Sequence, residues 1–474
     1  MSPATPLPVS PARLVRELGD WQRPDQPTYR ALAARIRLLL LDGRLAVDTR
    51  LPAERDLGAR LGVSRNTIAA AYAALREAGY LTSVRGSGSR LCLPGGARGG
   101  ADLGRTSAID FRRATFTAYP GITDLYAEAV ERIPAHIEES GYDIHGLPML
   151  REAVAAHYVG RGIPTTSEQI IVTSGAQHAL HLVTRALIRP GERVLIEHPS
   201  YAHAFDTLIS GGARLLPQPI EPGGWDISAT VDTLRRTRPA AGYVMPDFQN
   251  PSGASLAEED RRTLARAATQ SGTTLIVDET TSWLDIDRGE RTGLAAFSGD
   301  VVTLGSLGKV VWGAMRIGWI RAPRPLVDRI LAARSAVDLG TAILEQIVAT
   351  LALRDIESVL GFRRTQLRDS RDHLVSLIRE HFPEWTPHVV DGGMSLWQHT
   401  GQVSTLALAD AARAEGLAII PGTRFGVDGA FDHHLRLPFG YTHADLTAGV
   451  LALRRAADAV GSPSAQRRAF DPVV

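Results

Sequence analysis

A single stretch, Pro94-Gly95-Gly96-Ala97-Arg98-Gly99-Gly100, constrains the fold more than any other part of this chain. It has no periodicity and no bulky apolar side chain, so it cannot join a core and behaves as a flexible joint. The irregular composition continues to about Thr106, leaving a compact unit of roughly 65 residues before the break and a body of more than 350 after it. Single cores stop growing at roughly 250–300 residues, so a chain of 474 residues already calls for more than one domain.

Apolar content of 44% and charged content of 22% are those of a soluble globular protein. The N-terminus has no continuous apolar stretch of signal-peptide type, and no run is long enough to span a bilayer. Cys92 is the only cysteine, which excludes an intramolecular disulfide and a cysteine-based metal cluster. These features point to the cytoplasm, with no metal. The net charge of +1 hides an asymmetry: residues 1–95 hold 14 Arg against 8 Asp plus Glu. A basic front end on a mildly acidic body suits a head that binds nucleic acid.

The front unit reads as three helices and a hairpin. Leu32, Ile36, Leu39 and Leu40 have helical spacing over Tyr29–Asp42, and Gly43 stops that helix. Pro52 opens a second helix with Leu57 and Leu61 inward, ending at Gly62. Ser64 caps a third, running to Ala78 with Ile68, Tyr72 and Leu75 on one face. Two short strands then flank Arg85-Gly86-Ser87-Gly88. The second and third helices form a helix-turn-helix, whose later helix presents its first residues to base edges. Here these are Ser64, Arg65, Asn66 and Thr67. Arg55 is placed for a phosphate, and Arg85 with Gly86 at the hairpin tip for the backbone or minor groove.

The carrying string is Leu51-Pro-Ala-Glu-Arg-Asp-Leu-Gly-Ala-Arg-Leu-Gly-Val-Ser-Arg-Asn-Thr-Ile68, followed by Leu75-Arg-Glu-Ala-Gly-Tyr-Leu81. It resembles the GntR superfamily of winged helix-turn-helix regulators, which implies a double-stranded DNA operator as partner. Ala53 stands where the family usually has a capping Ser, a local cost of ~1 kcal/mol.

Lysine occurs once, at Lys309, among 52 Lys plus Arg. A residue type so nearly eliminated is either a leftover surface cation or one kept where Arg cannot serve, and its surroundings decide between the two. An amine can lose its proton and attack a carbonyl, and a guanidinium cannot. The chemistry that most demands this is a Schiff base with an aldehyde cofactor.

Around Lys309 the body alternates helices with Val- and Ile-rich runs: Ile170–Val172, Val194–Ile196, Tyr243–Met245, Leu275–Val277 and Val301–Leu304. Such runs read as buried, mainly parallel strands of an α/β fold, whose ligands bind beyond the strand carboxyl ends. The polar candidates follow those ends. Gly175, Ala176 and Gln177 open a helix able to hold a phosphate. Tyr201 can lie flat on a ring or be core. Asn250 can bond a phenolate oxygen or make an Asx turn. Asp278 can pair with a pyridine nitrogen or a structural cation. Ser306 and Arg316 can add phosphate contacts beside Lys309.

These motifs, in this order, resemble the fold-type I aminotransferases, which use pyridoxal 5′-phosphate, over about residues 110–460. The resemblance implies that Lys309 carries the cofactor as an internal aldimine, that Asp278 partners its pyridine nitrogen, and that Asn250 and Tyr201 hold its ring. It implies a phosphate cup of Gly175, Ala176, Gln177, Ser306 and Arg316. Arg436, in Leu435-Arg436-Leu437, matches the arginine for a substrate carboxylate, a task suited to its fork.

Both halves together resemble the MocR-type subfamily of GntR regulators. The expected domains are the winged helix-turn-helix at 25–93, the linker at 94–109 and the aminotransferase-like domain at 110–462. The expected function is a regulator sensing an amino compound or the cofactor itself, acting as a homodimer, head-to-tail. The alternatives are an active aminotransferase carrying a DNA-binding head, and a regulator that uses the body as a cofactor-free scaffold. Thr280 and Thr281 stand where many relatives have a Tyr, the Pro usual before Arg316 is missing, and Tyr142 is displaced by one position. These departures count against efficient turnover, because ring orientation controls which bond breaks.

Overall fold

The computed structural model describes residues 9–19, 21–22, 27–41, 44–45, 49–77, 79–84, 88–92, 109–138, 140–221 and 223–461. Arg85, Gly86 and the linker up to residue 108 lie outside the described residues. The chain divides into two compact units, Met1–Arg105 and Thr106–Val474.

The first unit contains helices α1 (Pro11–Leu18), α2 (Thr28–Leu41), α3 (Glu54–Leu61) and α4 (Arg65–Glu77). Strands β1 (Leu81–Val84) and β2 (Gly88–Leu91) pair antiparallel as the wing. Ile36, Leu39, Leu57, Ile68, Tyr72 and Leu75 meet in one core, as their spacing requires. Leu14 and Leu18 of α1 join that core, so the packed head starts ahead of residue 25. Ala53 occupies the N-cap of α3 and makes no side-chain cap bond.

The second unit is built on an eight-stranded sheet. After the short β3 (Ile109–Asp110), its strands are β4 (Ile170–Thr173), β5 (Arg193–His198), β6 (Arg214–Glu221), β7 (Gly224–Trp225), β8 (Ala241–Val244), β9 (Thr274–Asp278), β10 (Val301–Ser306) and β11 (Gly318–Arg321). Their order is β4-β11-β10-β9-β8-β5-β6-β7. The pairs from β10 to β6 are parallel, while β11 runs against both its neighbours and β7 against β6. The mainly parallel α/β architecture read from the apolar runs is the one observed.

Alternate residues of each strand enter different cores, the period-two consequence of the pleat. Ile171, Ile196, Tyr243, Ile276 and Leu304 pack on one face, and Val172, Leu195, Val244, Val277 and Val301 on the other. Both faces are covered, so the strands are apolar throughout rather than alternating. Beyond the sheet, β12 (Ser395–His399) pairs antiparallel with β14 (His434–Pro438), and β13 (Leu417–Ala418) pairs with β3. Among the described residues no helix is long and apolar enough to cross a membrane.

Candidate functional site

Strand register builds one corner of the site. Thr173 of β4 and Ser306 of β10 both stand opposite Gly318 of β11. A Cβ on Gly318 would lie 2.7 Å from the carbonyl carbon of Gly175 and 2.8 Å from the Ala176 nitrogen, so only glycine permits this approach. Gly175 has φ +89° and ψ 167°, a region essentially reserved for glycine. It starts the helix Ala176–Leu187, whose first N–H groups and dipole favour an anion. Ser306 and Arg316 stand beside that helix end. The Ser306 hydroxyl donates to Ile317 O at 2.8 Å, and Arg316 Nη2 donates to Ser174 O at 2.8 Å. Gln177 donates to Thr207 Oγ1 at 2.7 Å, while its Oε1 is buried without a partner.

The neighbouring strand ends supply a floor and walls. Asp278, 4% exposed, closes β9; its carboxylate accepts from Tyr243 Oη at 2.6 Å and from Thr280 N at 2.9 Å. Asn250 sits in the turn after β8, anchored because buried Arg261 and Arg288 clamp Asp247, at 2.6 and 2.7 Å. Tyr201 precedes the helix Ala202–Ser210. Lys309 lies three residues past β10, where Nζ donates to Ala114 O at 2.8 Å. Together with Thr280 and Thr281 these side chains line one cavity of about 330 Å³. Thr281 Oγ1 donates to Asp247 O at 2.7 Å, so its hydroxyl is held by the backbone.

Loss of hydration, reinforced by Arg436 and Arg316, pulls the Lys309 amine down to about 8, with Asp278 opposing. Burial pushes the Tyr201 phenol up to about 12, so it remains a neutral ring at physiological pH.

Arg436 of β14 reaches the site from the far side. Nη2 donates to Arg112 O at 2.6 Å and Nη1 to Asn250 Oδ1 at 3.5 Å, while the guanidinium lies 4.9 Å from the Phe425 ring centroid. Its Nε is buried without a partner. Burial lowers its pKa to about 10, which still leaves it charged at neutral pH.

The Lys309 amine thus feels two further cations, Arg436 and Arg316, against one carboxylate, Asp278. That surplus and the Gly175 cradle fit a group with a phosphate ester and a protonated ring nitrogen, while the orphaned Arg436 Nε leaves a donor for a carboxylate bound beside it. Pyridoxal 5′-phosphate is such a group: the cup would hold its phosphate, Asp278 its ring nitrogen, Asn250 its ring oxygen and Lys309 its aldehyde carbon.

The sequence reading missed several contributors. Tyr243 looked like a strand residue, yet its hydroxyl holds Asp278 from the adjacent strand. Thr115, Met245 and Met394 line the cavity, and Ala114 and Arg112 offer carbonyls to Lys309 and Arg436. Glu197, near the end of β5, is a carboxylate in an apolar run, a signal that could have been noticed. Tyr142 is 72% exposed and contributes nothing to the cavity.

In the head, Arg55, Ser64, Arg65 and Asn66 are exposed and Thr67 is half-buried. The Ser64 hydroxyl accepts from Thr67 N at 3.0 Å and lies 2.8 Å from Thr67 Oγ1, so both secure the start of α4. Arg65 pairs with Glu54 at 3.3 Å and is otherwise open to solvent.

Comparison with known proteins agrees with both halves. The family model "Aminotransferase class I and II" matches residues 128–453, and "Bacterial regulatory proteins, gntR family" matches residues 28–91. The chain is 31% identical over 441 residues to "Probable rhizopine catabolism regulatory protein MocR" of Rhizobium meliloti, covering 84% of this chain and 87% of the relative. It is 27% identical over 427 residues to the HTH-type transcriptional regulator TauR of Rhodobacter capsulatus, covering 81% and 87%. The crystal structure of LysN, an alpha-aminoadipate aminotransferase from Thermus thermophilus complexed with N-(5′-phosphopyridoxyl)-L-leucine, superposes with a TM-score of 0.69 at 25% identity, covering 75% of this chain and 93% of that one. The chain belongs to the MocR-type subfamily of GntR regulators: it is a pyridoxal 5′-phosphate-dependent, DNA-binding transcriptional regulator with a fold-type I aminotransferase body.

Proposed function

We propose that the signal read by this regulator is a small carboxylate-bearing amine, or pyridoxal 5′-phosphate itself, received at Lys309. The observation that carries this reading is that Lys309 lines one cavity with Asp278 and feels the charge of nearby Arg436, in a chain whose front unit is a DNA-reading head. The bound cofactor supplies an electrophilic carbon that primary amines attack. The protein's own residues then decide the outcome. Asp278 and Asn250 fix the ring, the cup fixes the phosphate, and Arg436 offers its unpartnered Nε to the effector's carboxylate.

The segment 110–117 is the route we assign to the signal. It follows the linker directly, and it offers Arg112 O to Arg436 and Ala114 O to Lys309. Tyr441 holds it further through Asp110 O and Arg113 O. Cofactor attachment would take Lys309 from Ala114 O, an amine that replaces Lys309 would free it to return, and an effector carboxylate that draws Arg436 competes for the bond to Arg112 O. Ligand binding thereby favours one arrangement of the segment over another, which is the condition for any ligand-driven switch.

Thr280 and Thr281 favour sensing over efficient turnover, since neither can reach as far as a tyrosine. A slow transamination remains the second reading, favoured by the presence of Lys309, Asp278, Asn250 and Arg436 together. Paired DNA half-sites call for two heads, so the working form we propose is a head-to-tail homodimer, acting in the cytoplasm where the DNA is.

Borohydride treatment in the presence of the cofactor, followed by digestion and mass spectrometry, should place the added mass on the peptide containing Lys309. Lys309→Ala should lose that mass and keep measurable DNA binding. An unmodified Lys309 peptide at saturating cofactor would overturn the sensing model. Sustained turnover with amino and keto acids at enzyme-like rates would favour the second reading.

A further inference from the structure

Glu197 is a carboxylate only 1% exposed, one residue from the end of β5. Among the described residues no cationic side chain pairs with it. Its partners are three N–H donors, one from β7 and two from the stretch that follows β8. Oε1 accepts from Met245 N at 2.9 Å and from Trp225 Nε1 at 3.2 Å; Oε2 accepts from Gln249 Nε2 at 3.1 Å. Gln249, equally buried, also donates to Pro199 O at 2.8 Å and accepts from Ser252 N and Oγ at 3.0 and 2.6 Å.

These bonds run to the two residues that would grip the cofactor ring. Gln249 immediately precedes Asn250, and its side chain spans the turn to Ser252. Pro199 lies two residues before Tyr201. Met245 itself lines the cavity. A buried polar group must be satisfied, and a carboxylate is the only side chain that is acceptor-only at two oxygens. An amide in its place would turn an N–H toward one of the three donors. The position therefore calls for a carboxylate on grounds of donor geometry rather than space filling.

We infer that Glu197 is a positioning residue for the cofactor, holding Asn250 and Tyr201 at a fixed separation through Gln249 and Pro199. This inference rests on the reading of Asn250 and Tyr201 as ring contacts. Burial, abetted by the nearby Asp278, pushes the Glu197 carboxyl up to about 8 despite its three donors. A proton on either oxygen would displace a donor, so the hub is complete only in the anionic form.

The test is Glu197→Gln in the full-length protein, studied above pH about 8, where the wild type carries the carboxylate. Cofactor uptake is followed by absorbance titration with pyridoxal 5′-phosphate, and the fold by thermal melting without it. The variant should melt as a folded protein and bind the cofactor ~10-fold more weakly, as losing a partner that orients a ligand-holding residue commonly does. The pH at which the visible band changes should move upward. Without a fixed Asn250 N–H the ring oxygen is more basic and holds a shared proton more tightly. A merely structural role would lower the melting temperature and leave that pH unmoved. If Glu197→Gln does not fold, Gln249→Leu cuts the same link and should show the same two changes. Wild-type affinity and an unmoved band in whichever variant folds would overturn the inference. Failure of the wild type to take up cofactor would overturn the site reading together with it.

Discussion

Gly175 and Arg316 stand so close that a Cβ on the glycine would lie 2.7 Å from Arg316 Nη2. The backbone at Gly175 is also in a region that other residues avoid, so Gly175→Ala adds strain of about 1–3 kcal/mol and displaces the guanidinium. The expected outcome is a folded but less stable protein whose affinity for pyridoxal 5′-phosphate falls ~10-fold or more, because the displaced guanidinium loses a charged hydrogen bond worth about 1.5–3 kcal/mol. Absorbance titration checks it, and an unchanged affinity would remove Arg316 from the phosphate cup.

Attachment at Lys309 should depend on pH with a known sign. The attacking form is the neutral amine, whose fraction rises through a pKa lowered to about 8 rather than the ordinary 10.5. The observed rate of cofactor uptake should therefore climb as pH approaches about 8 and level above it. The same shift makes the folded protein bind this proton less tightly than the unfolded chain. Its contribution to stability without cofactor should then rise with pH between about 8 and 10.5. A rate still climbing steeply through that window would show that the amine is not depressed.

Arg436→Ala should separate cofactor binding from effector response. Hydrogen bonds to charged groups are worth about 1.5–3 kcal/mol, so the effector concentration for half-response should rise at least ~10-fold. Cofactor affinity should change much less. In the wild type, effector should raise backbone hydrogen exchange across 110–117 by drawing Arg436 from Arg112 O. An exchange pattern indifferent to effector would rule out this segment as the route.

On the DNA side, Arg65 is a base-reading candidate only weakly committed to the head's own structure. Its ion pair with Glu54 is exposed and worth little, so it can be exchanged for a base contact. Arg65→Ala should weaken specific operator binding by ~1–3 kcal/mol and relax preference at one position. Ser64→Ala, by contrast, should chiefly lower the head's stability, because its hydroxyl caps α4. Footprinting against sequence-scrambled DNA separates the two effects.

Much of this molecule was legible in the chain itself because its signals are local. Val- and Ile-rich runs announce buried strands wherever they occur, and Thr173-Ser174-Gly175, Asn250, Asp278 and Ser306 each follow such a run within a few residues. The solitary lysine needed no structure to single it out. What tertiary structure alone decided are relationships between distant segments. Tyr243 meets Asp278 because β8 and β9 are neighbours in register. Ala114 and Arg112 reach Lys309 and Arg436 across hundreds of residues of chain. Leu14 and Leu18 join the head from beyond the reading unit's pattern. Glu197 finds its donors only when β5 pairs with β8 and β7 pairs with β6. The physical reason is common to all: periodicity and capping act over a few residues, whereas a hydrogen bond between strands depends on an order of pairing that no single segment encodes.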